Sequence, residues 1–165
     1  MTPVARVLVV EARFYEPLAD QLAAGALAVL TAAGVEIERM AVPGCFELPA
    51  AIGFAVAPRL GFRRYHGFVA LGCVIRGETD HYEHICRETS RALMDLTLDP
   101  GIALGFGVLT CETWEQASVR AAVDGKNKGA DAAQACLRMM ELKRLLTGSA
   151  GTGAPTGRTP AGSTS

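Results

Sequence analysis

At 165 residues and 17.3 kDa, the chain has room for one ordinary domain and little more. Half of it is hydrophobic (50%), 20% is charged and mean hydropathy is +0.23, which excludes a wholly disordered chain. Sixteen Lys and Arg against 17 Asp and Glu leave a net charge of −1, with no basic block to follow a nucleic-acid backbone.

The longest uncharged stretch, Gln21 to Val35, is 15 residues, short of the roughly 18 to 20 apolar residues needed to cross a bilayer, so no membrane partner is expected. The first residues, MTPVARVLVVEAR, lack the basic, apolar and small-residue succession of a signal peptide, and a cytoplasmic location follows as the expectation. Cysteines 45, 73, 86, 111 and 136 are odd in number, widely spaced and without CxxC or zinc spacing. Free, buried thiols in a reducing compartment are expected.

In chain order, apolar β-branched runs alternate with Ala- and Leu-rich helical stretches, the signature of βαβ units. The first strand is expected over Ala5 to Val10 and is followed by EARFYEP, where Phe14 is placed to stack on a flat heterocycle or, alternatively, to fold back on the core. A helix over Pro17 to Ala33 begins with proline in its first turn and ends at Gly34. After a second strand, Val35 to Val42, the loop VPGCFELP offers the backbone of Cys45 and Phe46 as donors and acceptors. The Glu47 carboxylate there is suited either to the amide N–H groups of a ring substrate or simply to the dipole of the next helix, Leu48 to Leu60.

The third strand, Gly67 to Ile75, leads into the most informative loop, LGCVIRGETDHYEH. Free N–H groups from Glu78 and Thr79 onward, at the start of a helix over His81 to Leu96, make an anion site suited to phosphate. His81 stands beside it, and a histidine with a pKa near 6.5 both gives and takes protons at neutral pH. The bland alternative for His81 is a helix-start capping contact. A metal face of His81, His84 and Glu88 is the weaker option, and His66 reads as surface. Within the helix, Ile85, Thr89, Ala92, Leu93 and Leu96 form one apolar stripe to set against a sheet.

A fourth strand, Ala103 to Thr110, precedes helices over Thr113 to Ala122 and Lys128 to Leu146, with Arg120, Lys126 and Lys128 close in sequence. Arg120 is either a bidentate phosphate ligand or an ordinary helix-surface arginine. Residues 147–165 are Gly, Ser, Thr, Pro and Ala except for Arg158, and a flexible tail is expected beyond a single domain spanning 1–146. The fold expected is an open, parallel, four-stranded flavodoxin-like sheet with helices on both faces, and the apolar surplus predicts oligomerisation. No Walker, GxGxxG or GxSxG pattern occurs.

The runs VPGCFELP, ALGCVIRGETDHYEH, GFGVLT, EQASVRA and NKGADAAQACLRM, in this order and spacing, resemble the 6,7-dimethyl-8-ribityllumazine synthase family over about residues 5 to 142. The resemblance implies condensation of 5-amino-6-(D-ribitylamino)uracil with 3,4-dihydroxy-2-butanone 4-phosphate in riboflavin biosynthesis, without metal or redox cofactor. It implies that Phe14 stacks on the pyrimidine, that Cys45, Phe46 and Glu47 bind the ring and ribityl side, and that Cys73, Val74 and Ile75 line the pocket floor. Glu78 and Thr79 fall where backbone N–H groups hold the phosphate, with the Glu78 side chain turned to solvent. Arg120 matches a phosphate-binding arginine, Lys128 a lysine near the phosphate, and His81 the proton-transfer histidine. Phe106 matches an aromatic supplied by the adjacent subunit, so a homo-oligomer of five subunits or a multiple of five is implied, with riboflavin synthase as a candidate partner.

Three rivals remain at this stage. A flavodoxin-type binding module lacks the expected Ser, Thr and Gly in EARFYEP, and a response-regulator receiver lacks the clustered acids after strand one. A lumazine-binding or self-assembling shell protein of the same fold, with weak or no catalysis, is opposed by the presence of Phe14, Glu47, His81 and Arg120 together.

Overall fold

The computed structural model describes residues 4–57 and 64–148. Four strands, β1 (Arg6–Ala12), β2 (Glu36–Val42), β3 (Gly67–Ile75) and β4 (Leu104–Cys111), form one parallel sheet in the order β2-β1-β3-β4. The central strands are β1 and β3, paired from Val7 with Gly67 to Glu11 with Leu71. They are the two runs buried almost throughout, as parallel strands covered on both faces must be.

Among the described residues, five α-helices cover the sheet: α1 (Glu16–Ala32), α2 (Leu48–Val56), α3 (His81–Leu98), α4 (Trp114–Ala121) and α5 (Lys128–Gly148). One core layer joins Val7, Val9, Val69 and Leu71 of the sheet to Leu22 and Leu30 of α1, Ala121 of α4 and Ala133 and Cys136 of α5. The opposite layer joins Leu8, Val10, Phe68 and Ala70 to Leu48 and Ile52 of α2 and Leu93 of α3. This is the three-layer flavodoxin-like architecture expected from the alternation of elements.

The differences from expectation lie at element ends. The expected second helix stops at Val56 instead of Leu60, because Ala57 turns extended (φ −55°, ψ 126°) ahead of Pro58, whose ring disfavours a helical predecessor. Residues 58–60 of that expected helix lie outside the described residues. β1 runs two residues further than expected, to Ala12, because Glu11 is buried and satisfied within the strand. α5 takes in Thr147 and Gly148, and the Thr147 hydroxyl donates to the Lys143 carbonyl at 2.6 Å. The rest of the expected tail, 149–165, lies outside the described residues.

The layer containing α5 is set by close approach. A Cβ at Gly105 of β4 would stand 1.9 Å from the Ala132 carbonyl oxygen, and one at Gly129 would stand 2.0 Å from the Leu22 carbonyl oxygen. Asn127 takes a left-handed conformation (φ 48°) ahead of α5 and rests its side chain against Gly25 of α1. The α5 helix then runs back to the amino ends of the strands, where Lys143 Nζ donates to the Gly101 carbonyl ahead of β4 and Thr147 borders a groove with Ala5.

The other face is looser. Phe54 of α2 (78% exposed), Met94 and Leu98 of α3 and Phe106 of β4 (46% exposed) leave apolar surface open. Phe106 alternates with Gly105 and Gly107, which face α5, so its side chain lies on the α3 side of an edge strand that α3 does not fully cover.

Candidate active site

A cavity of about 670 Å³ opens at the carboxyl ends of β1, β2 and β3, where open α/β sheets hold their ligands. Its walls come from three loops. The loop after β1 supplies Phe14 and Tyr15, the loop after β2 supplies Pro43, Gly44, Cys45, Phe46 and Glu47, and β3 with its loop supplies Cys73, Val74, Ile75, Gly77 and Thr79. The first turns of α3 close it with His81, Tyr82 and Ile85.

Phe14 is 71% exposed and projects at the cavity, while its neighbour Tyr15 is the aromatic that turns inward. Tyr15 stands edge-on to both Phe14 (centroids 4.9 Å apart) and Trp114 (5.7 Å), which props Phe14 from behind. Behind this loop, the buried Glu11 (3% exposed) accepts from Arg13 Nη1 at 2.9 Å and from Arg39 Nε and Nη2 at 2.7 and 3.0 Å. These charge-assisted bonds fasten the end of β1 to β2.

The VPGCFELP run folds as a single 3₁₀ turn, Cys45–Glu47, leading straight into α2. Glu47 Oε2 accepts the Gly44 N–H at 3.0 Å, so one carboxylate oxygen closes its own turn while the exposed group keeps a second oxygen for a ligand. Cys45 is buried beneath the turn, its Sγ in the space a Cβ on Gly72 of β3 would need, 2.5 Å away. The floor is thus made of Cys45 and Cys73. Burial pushes both thiols up to about 12, and for Cys73 the neighbouring Cys111 and Cys45 add to the rise. They are neutral, apolar lining near pH 7 and are not thiolate nucleophiles.

On the α3 side, Asp80 precedes the helix and His81 occupies its first position, with its N–H directed at Thr79 Oγ1 at 3.4 Å. Among the described residues, the N–H groups of Gly77, Glu78, Thr79 and Asp80 donate to no backbone carbonyl, which leaves them available to an anion. Glu78, an expected site residue, is exposed and does not line the cavity. Arg76 was not anticipated. Its guanidinium lies over the Tyr82 ring at 4.4 Å and pairs with Glu112 at 2.8 Å and Glu83 at 3.4 Å, tying the β3 end to α3 and to the loop after β4. The only sequence signal for it was an arginine directly after an apolar strand. Tyr82 was missed for a similar reason, standing unremarked beside a more conspicuous histidine.

Besides Glu78, three expected site residues are not on this cavity in the single chain. Phe106 lies mid-strand, opposite Ala70. Arg120 sits in the last turn of α4, where its Nη1 donates to the Gln116 carbonyl at 3.1 Å and its charge opposes the burial-driven rise of the Cys111 thiol. Lys128 opens α5 and pairs with Asp131 at 2.8 Å. Phe14, Cys45, Phe46, Glu47, Cys73, Val74, Ile75, Thr79 and His81 are brought together.

Residues 4–144 match the family model for 6,7-dimethyl-8-ribityllumazine synthase. Among curated relatives of that name, the protein of Afipia carboxidovorans is 50% identical over 143 residues, covering 86% of this chain and 88% of the relative. That of Nitrobacter winogradskyi is 51% identical over 144 residues, with 86% and 88% covered. That of Bartonella tribocorum is 51% identical over 138 residues, with 84% and 89% covered. The matched stretch takes in the strand ends and loops that build the cavity as well as the core, and on that ground the chain belongs to the 6,7-dimethyl-8-ribityllumazine synthase family.

Proposed function

We propose that the protein condenses 5-amino-6-(D-ribitylamino)uracil with 3,4-dihydroxy-2-butanone 4-phosphate to 6,7-dimethyl-8-ribityllumazine in riboflavin biosynthesis. The observation that carries this reading is one cavity holding an aromatic platform, a carboxylate, a set of free backbone N–H groups and a histidine, in a chain about 50% identical to named synthases. The uracil ring stacks on Phe14 and is read by Glu47 and the backbone of Cys45 and Phe46, over the floor of Cys73, Val74 and Ile75. The phosphate is held at the loop from Gly77 to Asp80 and by Arg120, with Lys128 nearby.

The amine of the uracil adds to the ketone carbonyl and loses water to form an imine. Phosphate then departs by elimination, and ring closure with loss of a second water completes the lumazine. Every step moves a proton, and His81 is the group placed to take and return it. Holding two substrates side by side supplies much of the acceleration, since orientation alone is worth several kcal/mol.

The assembly is proposed to be a pentamer or a multiple of five, with each site shared between neighbours. Phe106, exposed on an edge strand and away from the cavity of its own chain, supports this, because a second subunit can bring it to the site. The open apolar side chains Phe54, Met94 and Leu98 supply surface for such a contact. The location proposed is the cytoplasm.

Turnover with both substrates, followed by lumazine absorbance alongside native mass, tests the reading. Product formation by a species of five or a multiple of five subunits is expected. Lumazine binding without turnover would favour the non-catalytic alternative, and a fully active monomer would refute the shared site.

A further inference from the structure

We propose that Thr89 is a positioning residue, which fixes the Cys45–Glu47 wall of the cavity relative to the helix that carries His81. Thr89 lies in the middle of α3 and is 1% exposed. Its Oγ1 donates to the Cys45 carbonyl at 3.3 Å, across 44 positions of sequence. Helical hydroxyls ordinarily bond back to their own helix. Ser90 does so to Cys86 at 2.6 Å, Thr97 to Met94 at 2.7 Å and Thr147 to Lys143 at 2.6 Å. Thr89 instead reaches out of α3 to the loop after β2.

The carbonyl it reaches belongs to the one buried residue of the 3₁₀ turn. Cys45 is seated by its Sγ in the hollow over Gly72 of β3, and its carbonyl also accepts the Leu48 N–H that begins α2. Sulfur on β3 and carbonyl on α3 together fasten a turn whose other two residues, Phe46 and Glu47, are exposed cavity walls. His81 stands on the same helix as Thr89, eight residues or roughly 12 Å upstream at 1.5 Å per residue. The hydroxyl therefore sets the spacing between the wall that receives the ring and the group that moves the proton. Because Leu48 continues to satisfy the Cys45 carbonyl, losing the hydroxyl leaves no buried acceptor unpaired, and the effect falls on position more than on stability.

This rests on the proposed assignment of Cys45, Phe46 and Glu47 to the uracil substrate, and the test separates the two. Thr89→Val keeps the shape and removes the donor, whereas Thr89→Ser keeps the donor. In the intact oligomer, Thr89→Val is expected to raise KM for the ribitylaminouracil about three- to tenfold, the size of one neutral hydrogen bond. KM for the butanone phosphate should stay within about twofold, and Thr89→Ser should return the uracil KM to the wild-type value. Amide exchange at residues 45–47 should quicken in Thr89→Val while the rest of α3 keeps its protection.

Equal changes in both KM values, no change in either, or failure of Thr89→Ser to rescue would overturn the positioning role. If Thr89→Val does not fold, Thr89→Ala is measured in the same way, and loss of fold in both would make Thr89 a purely structural residue and refute the proposal. Absence of turnover in the wild type refutes the proposed function instead, and the exchange at residues 45–47 then decides on Thr89 alone.

Discussion

Replacing Gly105 with alanine tests the position where, among the described glycines, an added Cβ would meet its neighbour most closely. The added Cβ would lie 1.9 Å from the Ala132 oxygen, 2.7 Å from the Ala132 carbonyl carbon and 3.1 Å from Cys136 Cβ, whereas ordinary contact begins at 3.4 Å. The obstacle is a helix carbonyl, which cannot rotate aside as a side chain would. α5 must therefore withdraw from β4 by about 1.5 Å. A gap of 0.5–1 Å already forfeits roughly a quarter to a half of a dispersion contact, and the loss falls on Ala132, Ala133 and Cys136 together, all buried against the sheet. Overpacking of this kind costs about 1–3 kcal/mol, and with a rigid obstacle the upper end, about 3 kcal/mol, is expected. At about 2–4 °C per kcal/mol for a chain of this size, Tm should fall by roughly 6–12 °C. Urea unfolding followed by circular dichroism, at one fixed protomer concentration, measures it. Gly107→Ala is the comparison, since its nearest neighbours are the side-chain atoms Leu71 Cδ2 and Ala132 Cβ, and it should cost less. A loss under about 1 kcal/mol for Gly105→Ala would show that α5 slides freely and refute this account of the layer.

His81→Ala should lower turnover by about 10- to 1000-fold with the circular dichroism spectrum intact, since a general acid–base group contributes 10²- to 10⁴-fold and water substitutes in part; an unchanged rate removes His81 from the mechanism. Arg120→Ala should act mainly on KM for the phosphorylated substrate, and a rise confined to the uracil KM would show the two subsites to be misassigned. Phe106→Ala should lower activity and weaken the oligomer on a native-mass measurement, whereas full activity in a monomer would separate Phe106 from the site. Stability should fall in alkali: burial holds Cys45, Cys73 and Cys136 up to about 12, above an ordinary value of 9.0, so their contribution is complete below pH 9 and drains as the unfolded thiols ionise above it. For three thiols this is about 4 kcal/mol by pH 10, and urea midpoints unchanged between pH 8 and 10 would contradict the burial.

The sheet was legible because β1 and β3 are continuous apolar runs, and the site was legible because three loops after strands carry unusual residues. Rules of local chemistry found Phe14, Glu47 and His81 without a fold. They could not tell which of two adjacent aromatics points outward, since Phe14 and Tyr15 differ only in how β1 ends. Glu11 fell in the loop expected after the first strand, and nothing local marked it as a buried strand residue because its partner Arg39 is 28 positions away. The NKGAD run invites a chemical reading, yet much of it answers to packing. Asn127 fills the space beside Gly25, Gly129 lets Leu22 approach and Ala130 is buried, so only the surface pair Lys128 and Asp131 is free of a steric duty in that run. Phe106 and Lys128 entered as site residues only through the family resemblance, and the spacing of residues in a single chain offers no route to a cavity shared between two.

The path of α5 has a practical consequence. The helix starts near the carboxyl ends of the strands and finishes at their amino ends, with Lys143 anchored to Gly101 and Thr147 beside Ala5. Gly148, the last described residue, thus lies at the pole of the subunit remote from the cavity mouth. A tag or a fused domain joined directly after Gly148 therefore begins its path on the side of its own subunit opposite the substrate entrance.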